Sequence, residues 1–475
     1  MRVRSFFVCA GVAGLLVATA CGSVTDSLFG DGDSDKDNND NGGGGGLFGG
    51  NGNGVGDGGA GAADGEKPCV GLCQRQLKCP GGLTTSLSGT VFDPAGKVPL
   101  YNVLVYVPNA PVAPITTGAS CDRCGNVSGD PLVSTLTDPA GKFKLDNVPI
   151  GADIPVVVQI GKWRKQFKVP NVPQCADTKL AAADTRLPAK KSEGDMPQMA
   201  IASGQADPFE CLLTKMGIDA SEFTHDTSDG RVHYFRENGV NTSPAAPQGN
   251  TLYNDLAKMK SYDIIFLPCE GKANDKSNAA DQNLVDYTNV GGRVFTTHYG
   301  YQWLSMGVSP FTTTGTFQPE QSDKYDASLP VTINQGFPKG AAFAQWLVNV
   351  QASTQLGTMG IQEGRHDLNT ASDPPSTTWM TTDQMPAPNS NATMHITFNT
   401  PIGTPADQQC GRVVYSDFHV SASAKTNSPN FPASCKAGDL SPQEKALEFM
   451  LFDLSSCIQD DKVAPTAPGP GPVVK

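Results

Sequence analysis

Cys269, His298, Asp417 and His419 are the residues whose types and positions could do chemistry together. A thiol beside an imidazole can give up its proton and attack a carbonyl, and a carboxylate such as Asp417 can orient a second imidazole, His419, for the proton transfer. Each residue follows an apolar run that reads as a strand. Cys269 and Glu270 come after Tyr262–Leu267, His298 after Arg293–Thr297, and Asp417 and His419 after the run from Gly411 to Ser416. Asp207 stands close behind a shorter run at 198–202. Two plainer readings compete with catalysis: Cys269 as a buried or disulfide-bonded cysteine, and the histidines as a satisfied polar rim. Imidazole with Asp417 or Glu270 would also suit zinc. No close His-x-x-x-His pair supports that, so neither a metal nor a cofactor is expected. Tyr299, Tyr301 and Trp303, with Gln302 between them, could bind a sugar ring, although aromatics so spaced also fill cores.

The elements that must position these residues begin near Met199. Apolar strand-like runs alternate there with helical ones, including 208–216 with Asp207 as its cap, 281–289, and a capped last helix from Ser441 to Ser455. Alternation of this kind predicts a parallel sheet, and ligands gather beyond the carboxyl ends of such strands. The fold class expected is therefore multidomain, with a small β-sandwich followed by an α/β open parallel sheet.

The sandwich is expected over 67–180, where short runs such as 103–107 and 155–160 alternate with period two and no helical window is long enough to cover a sheet. The pentapeptide Asp-Pro-Ala-Gly-Lys occurs at 93–97 and again at 138–142, each time as a turn between strands. Cys69, Cys73, Cys79, Cys121, Cys124 and Cys175 lie in this half, an even set that suggests three internal disulfides in an exported chain. Setting Cys9 and Cys21 aside leaves eleven of the 13 cysteines, so at least one is unpaired within a monomer. A Cys410–Cys435 pair across the late loop is expected.

Composition bounds the rest. The 475 residues carry 47 acidic and 35 basic side chains, a net charge of -12. Residues 22–66 hold 17 of the 52 glycines and -8 of that charge, which predicts a flexible tether. Asp37–Gly42 matches the first half of a calcium loop, but Phe48 stands where the bidentate glutamate belongs, so a solvated acidic linker is expected there. The mild imbalance of the remainder excludes a basic nucleic-acid footprint. Met1–Cys21 pairs Arg2 and Arg4 with an apolar run too short to span a bilayer, which is an export signal.

Three resemblances refine this reading. Ala18-Thr19-Ala20-Cys21 resembles the lipobox of bacterial lipoproteins, which implies cleavage before Cys21, its acylation, and a membrane as partner through that anchor. Gly22 and Ser23 favour the outer membrane, facing periplasm or cell surface. Residues 88–172, with Gly89–Asp93, Pro99–Val103, Thr137–Phe143 and Val148–Gly151, resemble the carboxypeptidase regulatory-like (transthyretin-like) domain, which implies an accessory spacer. The later half resembles the class I glutamine amidotransferase-like fold, flavodoxin-like in layout, including its trehalose-utilisation-type relatives. Gly292–Phe295 leading into His298–Gln302 is similar to the family's nucleophile elbow, and Phe418-His419 to its late histidine. Here His298 replaces the nucleophilic cysteine, and Val420 and Ser421 replace the proline and glutamate, so amidotransferase activity is not expected.

The expected order is signal 1–20, tether 21–66, sandwich 67–180, linker 181–197, α/β domain 198–459 with an insertion at about 305–405, and a proline-rich disordered tail 460–475. The expected function is a cell-envelope lipoprotein that binds a glycan or an envelope protein. The alternatives are an envelope hydrolase using Cys269 or a histidine–carboxylate site, and a purely structural scaffold.

Overall fold

The computed structural model describes residues 67–475 apart from 126, 205, 239, 240, 243, 244, 319–327, 387–389, 421–427, 429, 470–472 and 475. The expected signal, Cys21 and the tether lie outside these residues. No helix among the described residues is long and apolar enough to cross a membrane.

The first half folds as two packed sheets. Strands β1 (Ser86–Thr90), β2 (Leu104–Pro108), β3 (Pro131–Leu136), β4 (Lys142–Asp146), β5 (Gly151–Ile160), β6 (Trp163–Val172) and β7 (Asp177–Lys179) pair in the orders β4–β1–β7 and β3–β2–β5–β6. Period two decides which side chains face inward: in β4, Phe143 and Leu145 are buried while Lys142, Lys144 and Asp146 face water. The repeated pentapeptide makes the same turn twice. Asp93 Oδ1 accepts from Lys97 N at 2.7 Å and Asp138 Oδ1 from Lys142 N at 2.9 Å, with Gly96 and Gly141 at φ of 72° and 69°.

The second half is built on one ten-stranded sheet. Its strands are β8 (Met199–Ser203), β9 (Val232–Arg236), β10 (Ile264–Leu267), β11 (Arg293–Thr297), β12 (Leu329–Ile333), β13 (Thr358–Ile361), β14 (Ser376–Thr382), β15 (Ala392–Thr400) and β16 (Gly411–Ser416), with the short Phe223–Thr224 at one edge. The parallel part runs β9–β8–β10–β11–β16, the flavodoxin-like order. Its central strands are buried on both faces, as a parallel sheet covered on two sides requires. Much of the insertion at 305–405 extends the same sheet: β15, β14, β12 and β13 continue it antiparallel beyond β16. The sheet is therefore mixed, with parallel strands in one half only.

The helix starting at Phe209 has no side-chain cap, and Asp207, expected in that role, is turned elsewhere. The last helix, α1 (Pro442–Ser455), does carry a capping box, between Ser441 and Glu444.

The cysteine pattern differs from expectation. Cys69–Cys73 and Cys79–Cys175 close within the first half, but Cys121 bonds Cys410 and Cys124 bonds Cys457, while Cys435 pairs with Cys211. The first half therefore has two internal disulfides, and Cys410–Cys435 does not form. The Cys121–Cys124 loop fastens the sandwich to the end of the α/β half, and Trp346 Nε1, from the insertion, donates to Pro99 O at 2.7 Å. The expected tail is ordered at its start: Asp461 is buried, and Pro468 O accepts from the Ser134 hydroxyl.

Candidate functional site

The parallel order reverses direction between β8 and β10, and at this switch point the two strand ends come very close. A Cβ on Gly204, just past β8, would lie 2.6 Å from Glu270 Cα and closer still to Cys269 O. Only a residue without a side chain lets the loop after β10 lie down beside β8. That loop delivers Cys269. Its backbone N–H donates to Thr297 Oγ1 at 3.0 Å, and Thr297 in turn donates to Asp207 Oδ2 at 2.5 Å. Asp207 Oδ1 also accepts from Val420 N at 2.8 Å, so one carboxylate ties together the ends of β8, β11 and β16.

His298 is the first residue past β11 and sits at φ 39°, in the left-handed region that a residue with a side chain seldom occupies. This turn swings its ring back over the switch point. His298 Nδ1 lies 3.3 Å from Cys269 Sγ and 3.0 Å from His419 Nε2, while its Nε2 lies 3.3 Å from Asp367 Oδ2. Gly271 N donates to Cys269 Sγ at 3.4 Å. The three donor atoms of Cys269, His298 and His419 lie within 4.8 Å of one another and could hold a metal ion. All three residues are buried, with exposures of 0%, 8% and 4% respectively.

Burial governs their protonation. It pushes the Cys269 thiol up to about 12. Burial, then the nearby His419 and Arg365, drives His298 far below the usual imidazole range, and burial with Arg365 lowers His419 to about 3. Without a bound ion, burial favours a neutral thiol and two neutral imidazoles. It is therefore not a thiolate–imidazolium pair of the kind nucleophilic cysteines need.

The other expected site residues divide. Asp417 does not orient His419. Its Oδ2 accepts from Asp367 N at 2.7 Å and Leu368 N at 3.0 Å, and Tyr415 OH donates to its Oδ1 at 3.1 Å, so it secures the loop that carries Asp367. Glu270 points away from the thiol to Lys276 at 2.5 Å and to Asn238 and Asn274, both at 2.7 Å. Glu270, Tyr299, Gln302 and Trp303 line a recess of only about 10 Å³, room for a single water at most. Tyr301 and Trp303 are buried in the core, so they cannot stack on a sugar ring. Asp367 and Thr297 went unnoticed in the sequence. Asp367 comes from the insertion, which carries no pattern tying it to His298, whereas Thr297 was visible as the last strand residue before it.

Fold and site together define an open α/β sheet of flavodoxin-like order that gathers a thiol and two imidazoles at its switch point. No protein family and no curated protein matches the sequence. Among solved structures, a ThuA-like protein from Parabacteroides merdae is 10% identical over 58% of this chain and 98% of its own, with a TM-score of 0.32. A cytoplasmic protein from Salmonella typhimurium is 11% identical over 56% of this chain and 100% of its own, with a TM-score of 0.30. A cohesin–X-dockerin complex from Acetivibrio cellulolyticus matches 31% of this chain at 16% identity, covering 79% of its own, with a TM-score of 0.14. Likenesses this distant transfer no residue role.

Proposed function

We propose that this chain is a cell-envelope binding protein, held at the membrane through Cys21, and not a thiol hydrolase. The observation that carries the reading is Cys269. It is fully buried, burial works against a free thiolate there, and the neighbouring recess is too small for a substrate. Five disulfides among the described residues fit an exported chain in an oxidising compartment.

The ligand site in this reading lies away from the switch point. A cleft of about 380 Å³ opens between the sandwich and the end of the α/β half, beside the Cys121–Cys410 and Cys124–Cys457 bonds. Asn102, Asp122, Arg123, Gln159 and Lys162 present amide and charged groups along it, and Pro465 adds an apolar wall. A pocket of this size with a few convergent polar groups suits a small hydroxyl-rich ligand such as a short glycan.

The test is titration of the full chain with envelope oligosaccharides by calorimetry, beside a Gln159→Ala, Asp122→Ala double variant, with membrane fractionation of a Cys21→Ala variant. Saturable binding lost in the cleft variant, with release of Cys21→Ala from the membrane, is the expected result. Selective turnover of an acyl or amide substrate that stops in Cys269→Ser would overturn the reading.

A further inference from the structure

The three donor atoms at the switch point pose a hydrogen-bonding problem. His298 Nε2 lies 3.3 Å from Asp367 Oδ2, a placement that suits the tautomer with the hydrogen on Nε2. His298 Nδ1 then has one lone pair, and both Cys269 Sγ and His419 Nε2 lie against it. In that tautomer one lone pair faces two neighbours, and it cannot serve an S–H and an N–H fully at the same time. A cation at the centre of the three atoms removes the conflict by taking a lone pair from each.

We propose that Cys269 Sγ, His298 Nδ1 and His419 Nε2 bind one divalent transition-metal ion of the zinc type. The spacing fits. Tetrahedral zinc with ordinary Zn–N and Zn–S bonds sets its nitrogen ligands roughly 3.3 Å apart and nitrogen from sulfur about 3.6 Å apart. The observed 3.0 and 3.3 Å are a few tenths of an ångström shorter, and the third pair, Cys269 Sγ and His419 Nε2, lies within 4.8 Å, so side-chain rotations that widen the first two contacts and draw in the third complete the set. The surroundings fit as well. Asp367 against the distal nitrogen of His298 is the carboxylate–histidine arrangement that orients metal-binding imidazoles, and Gly271 N–H meets the sulfur. Asp207 holds Thr297, which holds the Cys269 backbone, so the sulfur is positioned by a chain of contacts independent of the two histidines. Arg365 is the opposing cation near the cluster. The thiolate formed on binding, with Asp207 and Asp367, outweighs it.

Binding exchanges the S–H bond of Cys269 for an S–metal bond, and the proton leaves to solvent. A donor set of one sulfur and two imidazoles selects zinc-type ions over calcium or magnesium, which take oxygen. This inference stands on the switch-point residues alone and is independent of the ligand cleft and of membrane anchoring.

The experiment measures the metal content of the purified full chain, then titrates Co2+ into chain that has been dialysed against a chelator. The expected result is one equivalent of zinc or Co2+ per chain and a near-ultraviolet thiolate-to-cobalt band that Zn2+ abolishes. Cys269→Ser loses the band while its circular dichroism stays that of the wild type. Asp367→Asn weakens Co2+ binding by about 10- to 100-fold without removing the band. If Cys269→Ser does not fold, His419→Gln is the second variant, and it loses stoichiometric Co2+ with every thiol still present. A folded wild-type chain that carries no metal and gives no thiolate band overturns the proposal. So does a band that survives in Cys269→Ser, since the thiolate would then not be that of Cys269.

Discussion

His298 Nδ1 and His419 Nε2 lie 3.0 Å apart at the ends of neighbouring strands, although 121 residues separate them in the chain. Two imidazoles so close and so buried cannot both carry charge, and burial keeps each neutral. The stability consequence has a definite sign. His419 titrates at about 3 in the folded chain and near 6.5 when unfolded, so between these values the unfolded state binds the extra proton. Its contribution is complete above about pH 6.5 and is lost as pH falls towards 3. In chelator-treated protein, the melting temperature of the wild type should fall through this window, and His419→Gln should flatten the slope. A residual slope is expected from His298, which burial drives far below the usual imidazole range, and from His395, which burial also lowers to about 3.

Cys269 should be chemically silent in the folded chain. Burial excludes the reagent and pushes the thiol up to about 12, so iodoacetamide near pH 8 should leave it unlabelled until denaturant is added. Peptide mass mapping of the same sample should recover the Cys121–Cys410, Cys124–Cys457 and Cys211–Cys435 crosslinks. Rapid labelling of Cys269 in the native state would contradict the burial on which the proposed function rests.

How far the sequence carries is clearest at this cluster. Cys269, His298 and His419 could be picked out because each follows an apolar run, and the ends of parallel strands are brought together by the sheet. Their convergence on one point could not be read, because it depends on the left-handed turn at His298 and on the close approach at Gly204. Asp417 is visible for the same reason as His419, but it does not pair with His419. Its true partners, the backbone of Asp367 and Leu368, lie in an insertion whose strands join the sheet antiparallel. The cysteine count showed that one thiol must be left over. The pairing itself depends on how the sandwich sits against the α/β half, which spacing does not encode.

Glu448 gives the opposite pH sign to the histidines. It lies buried in the last helix and is pushed well above the usual carboxylate range by burial and by Asp93 of the first sandwich turn, which burial itself raises to about 6. A carboxyl with a raised folded pKa favours the native state while protonated, and that advantage is lost as pH rises through the folded value. Glu448→Gln keeps the neutral shape without the ionisation cost. The variant should therefore unfold at higher denaturant than wild type at pH 8, with the difference shrinking towards pH 4. Equal midpoints for the two proteins at pH 8 would show that the pair is not strained by charge.

Asp461 tests whether the start of the C-terminal segment is structural. Arg412 Nη2 lies 2.9 and 3.0 Å from its two oxygens and 2.8 Å from Asp453 Oδ2, while Lys339 Nζ is 2.8 Å from Asp453 Oδ1 and 3.4 Å from Asp461 Oδ1. Two buried cations share two buried carboxylates, so the cluster is balanced only while both acids are ionised. Arg412 and Lys339 hold Asp461 down, to about 2, against burial that would raise it. The stability it supplies is present above the unfolded value near 3.9 and is lost as pH falls towards 2. Asp461→Asn leaves one carboxylate for two buried cations and should cost about 3 to 5 kcal/mol at pH 7. Denaturant unfolding at pH 7 and again at pH 3 checks this, since the gap between wild type and variant must narrow in acid. A gap that stays constant would mean that the substitution costs packing, not charge.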